Sequence, residues 1–278
     1  GLTAHSNKMA VRVASTPDPA PKPAIGPAPR PAGAPPVPIT VDDLVAAAVR
    51  DGIAYADLPV RMGASMRKST NAFDAIDLSV QAVLPAGIHG PLITEISLTD
   101  TSGQPKSARR ILEAQPDGRF VASYLFPLKA GGYTIRFAAA DADGRIGSVE
   151  MAVPVSLPKL GNVTASDVIT WTVVDGKPQV FTADDVPASS ASINASIELY
   201  PTGVLSMAER HVHWSVLPAA GGAPVFETDG PAVVSPAFLR SDVEVPWSLL
   251  APGSYTIRAT LVVGGSTEGS MAATVVKK

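Results

Sequence analysis

Three residues in the second half of the chain have types and a spacing that could bind a metal ion. Glu209, His211 and His213 alternate at two-residue intervals, so on a β-strand their side chains point to one face. Two imidazoles placed in this way can bind one metal ion, with the carboxylate of Glu209 as a third ligand. The competing interpretation is a solvated strand face, which we favour. We therefore predict no metal and no cofactor, and this triplet is the candidate site if one exists.

Other catalytic groupings find no support in the sequence. The chain contains no cysteine and four histidines, and it has no Gly-x-Ser-x-Gly nucleophile elbow. The paired acids Asp42 and Asp43 are explained by the N-terminus of a helix, where negative side chains are favourable. We therefore predict that the protein is not an enzyme and has no catalytic or cofactor-binding residues.

Composition and charge restrict the class of partner. The chain has 22 basic and 25 acidic residues, a formal net charge of -3, so it carries no broad positive field that would attract nucleic acid. No apolar run reaches the roughly 18 residues that a membrane-spanning helix needs. The composition, with 46% hydrophobic and 17% charged residues, is typical of packed globular domains. A length of 278 residues is enough for about two of them.

A repeated segment indicates how the elements that carry these residues are arranged. LKAGGYTIRFAAADADGRIGS begins at Leu128, and LAPGSYTIRATLVVGGSTEGS begins 122 residues later at Leu250. Both segments alternate with period two, and turn signals such as Asp143-Gly144 and Gly264-Gly265 separate their apolar runs. The sequence predicts an all-β protein with two tandem immunoglobulin-like or fibronectin-III-like antiparallel β-sandwiches.

Each repeat also contains a Leu-x-x-Gly-x-Tyr arrangement. In Greek-key sandwiches such a motif forms a tyrosine corner, in which the hydroxyl bonds to backbone a few residues upstream as the chain passes between sheets. The predicted structural corners are Leu128, Gly131, Tyr133, Leu250, Gly253 and Tyr255. We interpret them as folding devices rather than ligand contacts.

The chain divides into three predicted regions. Residues 1–38 form an extended N-terminal arm and a Pro/Ala-rich linker, which reaches up to roughly 70 Å in a polyproline conformation. Residues 39–157 form the first β-sandwich domain, preceded by one short helix that Thr40 caps and Gly52 ends. Residues 158–278 form the second β-sandwich domain.

The chain resembles the C-terminal region of bacterial VWFA-related proteins, best known from Acidobacteria. The residues that carry the resemblance are GLTAHSNKMAVRV, the Pro/Ala linker, VDDLVAAAVRDGIAYADLPVRMGAS and LKAGGYTIRFAAADADGRIGSVEMAVPV. Members of that family combine a von Willebrand factor A domain, a proline-rich connector and immunoglobulin-like sandwiches. The resemblance implies a secreted or surface protein whose A domain is absent here, because Asp77-Leu-Ser79-Val-Gln81 is the nearest string to Asp-x-Ser-x-Ser and lacks its last serine.

These observations lead to two functional hypotheses. The first is a non-enzymatic extracytoplasmic module, periplasmic or at the cell surface, for structure or protein–protein interaction within a larger envelope assembly. Its contacts would be sheet edges, loops or the N-terminal arm. The alternative is a carbohydrate-binding or surface-adhesion module, although the alternation around Trp171, Trp214 and Trp247 predicts that all three rings lie in the core.

Overall fold

The computed structural model describes residues 40–71, 74–174, 176–181, 186, 190–201, 210–230, 232–234 and 238–277. Within these ranges the protein is built of antiparallel β-sheets and one α-helix, so the predicted all-β fold is confirmed. The predicted extended arm and proline-rich linker lie outside the described residues.

Helix α1 (Val41–Asp51) begins at a capping box. The Thr40 hydroxyl accepts a hydrogen bond from the Asp43 amide at 3.1 Å, and the Asp43 carboxylate accepts one from the Thr40 amide at 2.9 Å. Gly52 ends the helix in the left-handed conformation, with φ of 67°. Both ends therefore lie where the sequence predicts them.

The first group of strands forms two facing sheets. One sheet has the order β1-β2-β5 and the other has the order β4-β3-β6-β7. The strands are β1 (Arg61–Lys68), β2 (Ile76–Leu84), β3 (Leu92–Asp100), β4 (Pro105–Leu112), β5 (Phe120–Leu128), β6 (Gly131–Ala140) and β7 (Ile146–Val155). This is the three-plus-four arrangement of a fibronectin-III-like sandwich.

The second group repeats the four-stranded sheet, here in the order β14-β13-β17-β18, and enlarges the facing one. In the larger sheet the order is β11-β10-β12-β16-β15, and β9 pairs with both β12 and β8. The strands are β8 (Lys159–Leu160), β9 (Val163–Ala165), β10 (Ile169–Val174), β11 (Lys177–Val180), β12 (Ser192–Pro201), β13 (Arg210–Pro218), β14 (Phe226–Gly230), β15 (Ala232–Val234), β16 (Leu239–Pro246), β17 (Gly253–Val263) and β18 (Ser266–Lys277). A short 3-10 helix (Trp247–Leu249) precedes β17.

Each pair of sheets encloses its own apolar core. The buried residues of one core run from Leu58 to Val155 and those of the other from Leu160 to Val275. Trp214 fills the centre of the second core and donates its indole N–H to the Ser241 hydroxyl at 3.0 Å. Two separate cores fit tandem sandwiches, while the predicted domain bounds themselves stay a prediction.

The repeated segment forms the same hairpin in both sandwiches, β6–β7 in the first and β17–β18 in the second. Both copies of the segment end in Gly-Ser, and the glycine is needed because a side chain would not fit there. A Cβ on Gly147 would lie 2.2 Å from the Leu58 carbonyl oxygen, and one on Gly269 would lie 2.9 Å from the Leu160 side chain. Glycine thus allows the chain that enters each sandwich to cross closely over the last strand.

Helix α1 distinguishes the first sandwich from the second. Its buried residues Val45, Ala48 and Val49 pack on Ala138 and Ala140, on the outer face of β6. The repeat places Thr260 and Val262 at the corresponding positions of β17, where no described helix covers them. The outer face of this sheet is therefore apolar and covered in the first sandwich, but partly exposed in the second.

The prediction that all three tryptophans are core residues is wrong for Trp171. Trp214 and Trp247 are buried, whereas Trp171 is partly exposed and its neighbour Val173 is 52% exposed. The Trp171 face of β10 is therefore an outer face.

Two buried threonines explain why the apolar face of β10, with Trp171, is not the buried face that the alternation predicts. Thr170 and Thr172 point into the sandwich, and their hydroxyls donate to the carbonyl oxygens of Phe181 at 3.4 Å and Ser192 at 2.9 Å. A buried hydroxyl that finds a backbone acceptor loses little on leaving water. The polar face of β10 can therefore be the inner one.

Candidate functional site

His211 and His213 lie on β13, on the outer face of the four-stranded sheet, as the predicted alternation requires. The Nδ1 atom of His213 is 2.9 Å from Asp229 Oδ1, and its Nε2 atom is 3.4 Å from Glu227 Oε1. The Nε2 atom of His211 is 3.7 Å from the same Asp229 oxygen. Glu209, the remaining residue of the predicted metal triplet, lies outside the described residues.

Carboxylates of β14 lie beside both imidazoles. The hydrogen bond with Asp229 raises the pKa of His213 above its ordinary value, and Glu227 adds to the shift. Since the folded pKa exceeds the unfolded one, this contact stabilises the fold below pH 6.5 and is lost as the pH rises through the folded pKa. No group of three ligating side chains in the described ranges could hold a metal ion. The metal hypothesis therefore rests on the sequence alone.

Both repeat tyrosines bond to backbone four residues upstream. The Tyr133 hydroxyl donates to the Lys129 carbonyl oxygen at 3.1 Å, and the Tyr255 hydroxyl donates to the Ala251 carbonyl oxygen at 2.8 Å. Tyr255 is buried, whereas Tyr133 is partly exposed. These bonds hold the chain where it enters β6 and β17.

The other corner residues serve the same turns. Leu128 and Leu250 are buried in their respective cores. Gly253 has φ of 152°, a value that side chains disfavour, while Gly131 has no positive φ. The glycine is thus required by backbone geometry in the second corner only.

We expect Tyr133→Phe and Tyr255→Phe each to lower the free energy of unfolding by about 1 kcal/mol, because each removes one hydrogen bond to a backbone carbonyl. The larger loss belongs to Tyr255, because its side chain is buried whereas that of Tyr133 is partly exposed. Urea denaturation of the full chain measures both. Tyr55→Phe is the control, and a loss as large as that of Tyr255→Phe in this control would contradict the assignment.

A group that the sequence analysis missed lies where the two sandwiches meet. We call it the junction; its residues are Met66 and Lys68 of β1 together with Asp167, Glu198 and Tyr200. The Asp167 amide donates to the Met66 carbonyl oxygen at 2.9 Å, and the Met66 amide donates to Asp167 Oδ2 at 2.8 Å. Asp167 thereby takes the place of a neighbouring strand along the edge of β1.

Tyr200 makes the second connection of the junction. Its hydroxyl accepts a hydrogen bond from the Lys68 amide at 2.9 Å and donates a short one to the Glu198 carboxylate. The Arg67 guanidinium lies 4.0 Å from Glu198 and 3.8 Å from Asp77, whose carboxylates are buried. The charged side chains at the junction therefore come from both sandwiches, Arg67 and Asp77 from the first and Glu198 from the second.

A third connection lies further along the contact, where the Gln81 side-chain amide donates to the Val180 carbonyl oxygen at 2.6 Å. Gln81 belongs to β2 and Val180 to β11, so these contacts join β1 and β2 of the first sandwich to β11, β12 and the Asp167 loop of the second. The sandwiches are thus joined by directional bonds as well as by the chain.

Burial shifts the pKa values of two junction side chains, Asp167 and Tyr200. It raises the pKa of Asp167 to about 6, against the opposing effect of the hydrogen bond from Met66. Burial also raises the pKa of Tyr200, and Glu198 acts in the same direction, so the phenol stays a neutral donor. Buried charges are costly unless they are paired in one geometry, which makes this contact sensitive to the relative position of the sandwiches.

No family model matches this chain, and no curated protein matches it. Among solved structures, it is similar to the tetra-tandem repeat in the extending region of a large adhesion protein, with 11% sequence identity over 80% of this chain and 82% of that chain. The TM-score is 0.20, so this similarity carries no argument about fold or function. In the described part of the chain, no helix is long and apolar enough to cross a membrane.

Proposed function

We propose that the chain is a non-enzymatic module for structure or protein–protein interaction, in which two β-sandwiches are held in one relative position within a larger extracytoplasmic assembly. The observation that supports this proposal is the junction. Domains within a chain move relative to one another by default unless their interface prevents it. Here backbone groups of β1 bond directly to Asp167 and Tyr200 of the second sandwich.

This kind of contact suits a spacer or scaffold better than a catalyst. An enzyme formed between two domains keeps a cleft open at their contact and places reactive groups in it. The junction instead uses its acids and its phenol to bond one sandwich to the other. The resemblance to VWFA-related proteins supports a periplasmic or cell-surface location, and an envelope assembly as the larger structure.

Direct capture tests the proposal. The tagged full chain is incubated with the native envelope fraction, and each captured protein is purified and titrated against the chain. We expect at least one direct protein partner, whose affinity falls about fivefold or more when Tyr200→Phe loosens the junction. A chain that binds no purified envelope protein, with or without residues 1–38, contradicts the proposal.

Carbohydrate binding is the second candidate, and the position of Trp171 favours it. Trp171 lies on the outer face of β10, beside Val173 and opposite Val180 of β11, both of which are more than two-fifths exposed. A flat apolar sheet face with an indole ring is a surface on which sugar rings can stack.

A glycan array with the full chain tests this candidate. We expect any specific glycan signal to fall about tenfold or more in Trp171→Ala, because the ring would supply most of the contact area. Leu125→Ala is the matched control, since Leu125 is 51% exposed on the first sandwich. A signal that survives Trp171→Ala, or no signal at all, rejects this face as a sugar site.

A further inference from the structure

Strand β18 leaves one of its edges open. It is the last strand of the sheet β14-β13-β17-β18 and pairs with β17. On its other side, Leu160 of β8 approaches Gly269, and no described strand pairs with the stretch from Ser270 to Val276. This stretch, SMAATVV, contains no charged residue and no proline.

The other sheet edges of the described chain are protected. Natural proteins protect edge strands with charges, prolines, short length or a covering segment, because open edges pair with other chains. Strand β1 is bonded by the junction, and β8 and β15 have only two and three residues. The remaining edges carry Lys106 and Arg109 on β4, Pro127 on β5, Glu150 and Pro154 on β7, Pro178 on β11, and Glu227 and Asp229 on β14.

The repeat gives an internal comparison for β18. Gly131 pairs with Val155 in the first hairpin and Gly253 with Lys277 in the second, so the two registers agree with the same 122-residue offset as far as the bulge after Leu261. Glu150 and Pro154 of β7 therefore correspond to Ala272 and Val276 of β18. At equal positions of one hairpin, the first sandwich has a charge and a proline where the second has neither.

Pro154 also shows which backbone groups face outward. Proline has no N–H, and in strands it is confined to positions whose N–H side does not face the neighbouring strand. A residue in an antiparallel ladder directs its N–H and C=O to the same side. The backbone groups of every second residue of β7, counted from Pro154, therefore point away from β6 towards the edge of the sheet. By correspondence, Ser270, Ala272, Thr274 and Val276 direct their backbone groups to the open edge of β18.

We propose that β18 of a second copy of this chain pairs with this edge, antiparallel and two-fold symmetric about Ala273. The residues with free backbone groups then meet, since Ala272 of one copy lies opposite Thr274 of the other. The antiparallel direction places the Glu268 end of one strand beside the Lys277 end of the other, whereas a parallel one would align like charges; the Lys277 ammonium also donates to the Trp247 and Leu250 carbonyl oxygens of its own chain. A two-fold contact needs the same surface on both copies, which an open strand with small side chains provides.

The two four-stranded sheets would thus join into one continuous sheet. Met271, Ala273 and Val275 already face the core, so the pairing continues the inner layer of each sandwich. This inference does not depend on the proposed function, because a chain that dimerises can still lack an envelope partner, and the reverse also holds.

Sedimentation velocity of the full chain over a concentration series tests the pairing. We expect a reversible dimer, weakened about tenfold or more by Ala272→Glu with Val276→Pro, which transfers to β18 the residues that the first sandwich tolerates at the same positions. Ala152→Glu adds a charge to the corresponding edge of β7 and is expected to leave the dimer unchanged. Should the double variant fail to fold, Thr274→Lys takes its place.

A disulfide test locates the two-fold axis. The chain has no cysteine, so Ala273→Cys introduces one thiol per copy, which mild oxidation is expected to convert to a linked dimer. Met151→Cys, at the corresponding position of β7, is expected to form no disulfide-linked dimer under the same oxidation, although its β18 can still pair. The pairing is overturned by a monomer at every concentration, by a dimer that ignores the β18 variants, or by a dimer that disappears only when residues 1–38 are removed.

Discussion

Replacing Tyr200 with phenylalanine is expected to lower the free energy of unfolding of the full chain by about 3 kcal/mol. The change removes one hydroxyl and little volume, but that hydroxyl connects both sandwiches. Without it, the Lys68 amide loses its acceptor and the Glu198 carboxylate, 7% exposed, loses its short hydrogen bond. Chemical denaturation measures the loss, and small-angle scattering reports whether the sandwiches also change their relative position.

A double-mutant cycle with Glu198→Gln identifies the source of this loss. If the cost comes from a buried carboxylate left without its donor, neutralising that carboxylate makes Tyr200→Phe less harmful, and the two changes together cost less than their sum. Tyr255→Phe is the matched control, because its hydroxyl bonds within one sandwich. A Tyr200→Phe loss no larger than about 0.5 kcal/mol would show that the junction contributes little to stability.

Much of the fold could be predicted because its signals are local. The capping box of Thr40 and Asp43 and the terminal Gly52 lie within a few residues of the helix that they bound. The repeated hairpin shows its period-two alternation and its turns within about twenty residues, and the structure places both copies in equivalent sheets. Alternation fails at β10, where threonines take the inner face because backbone acceptors are available there.

The junction could not be predicted because its contacts join residues that are far apart in the sequence. Asp167 and Met66 are about a hundred residues apart in the sequence, and neither type at its position suggests a contact. Glu198 and Tyr200 share one face of β12, which the alternation does show, but the sequence does not say that β1 of the other sandwich meets this face. The contact between β1 and β12 depends on how two complete sandwiches pack against each other. The common face of His211 and His213, in contrast, follows from their two-residue spacing alone.

The junction also makes stability depend on pH through Asp167. Burial raises the pKa of Asp167 from 3.8 to about 6 in the folded chain. Because this folded pKa exceeds the unfolded one, the contribution of Asp167 to stability is fully present below about pH 4 and is lost as the pH rises through about 6. A shift of about two units corresponds to at most about 3 kcal/mol between these limits.

Asp167→Asn isolates this contribution, because asparagine keeps an oxygen that can accept from the Met66 amide but carries no charge. We expect the variant to gain stability relative to the wild type between pH 4 and pH 7, by up to about 3 kcal/mol, when both are unfolded in urea at each pH. Asp242→Asn is the control, since Asp242 is 45% exposed and its difference from the wild type should change less over this range. An Asp167→Asn difference that is the same at every pH would mean that water reaches the carboxylate.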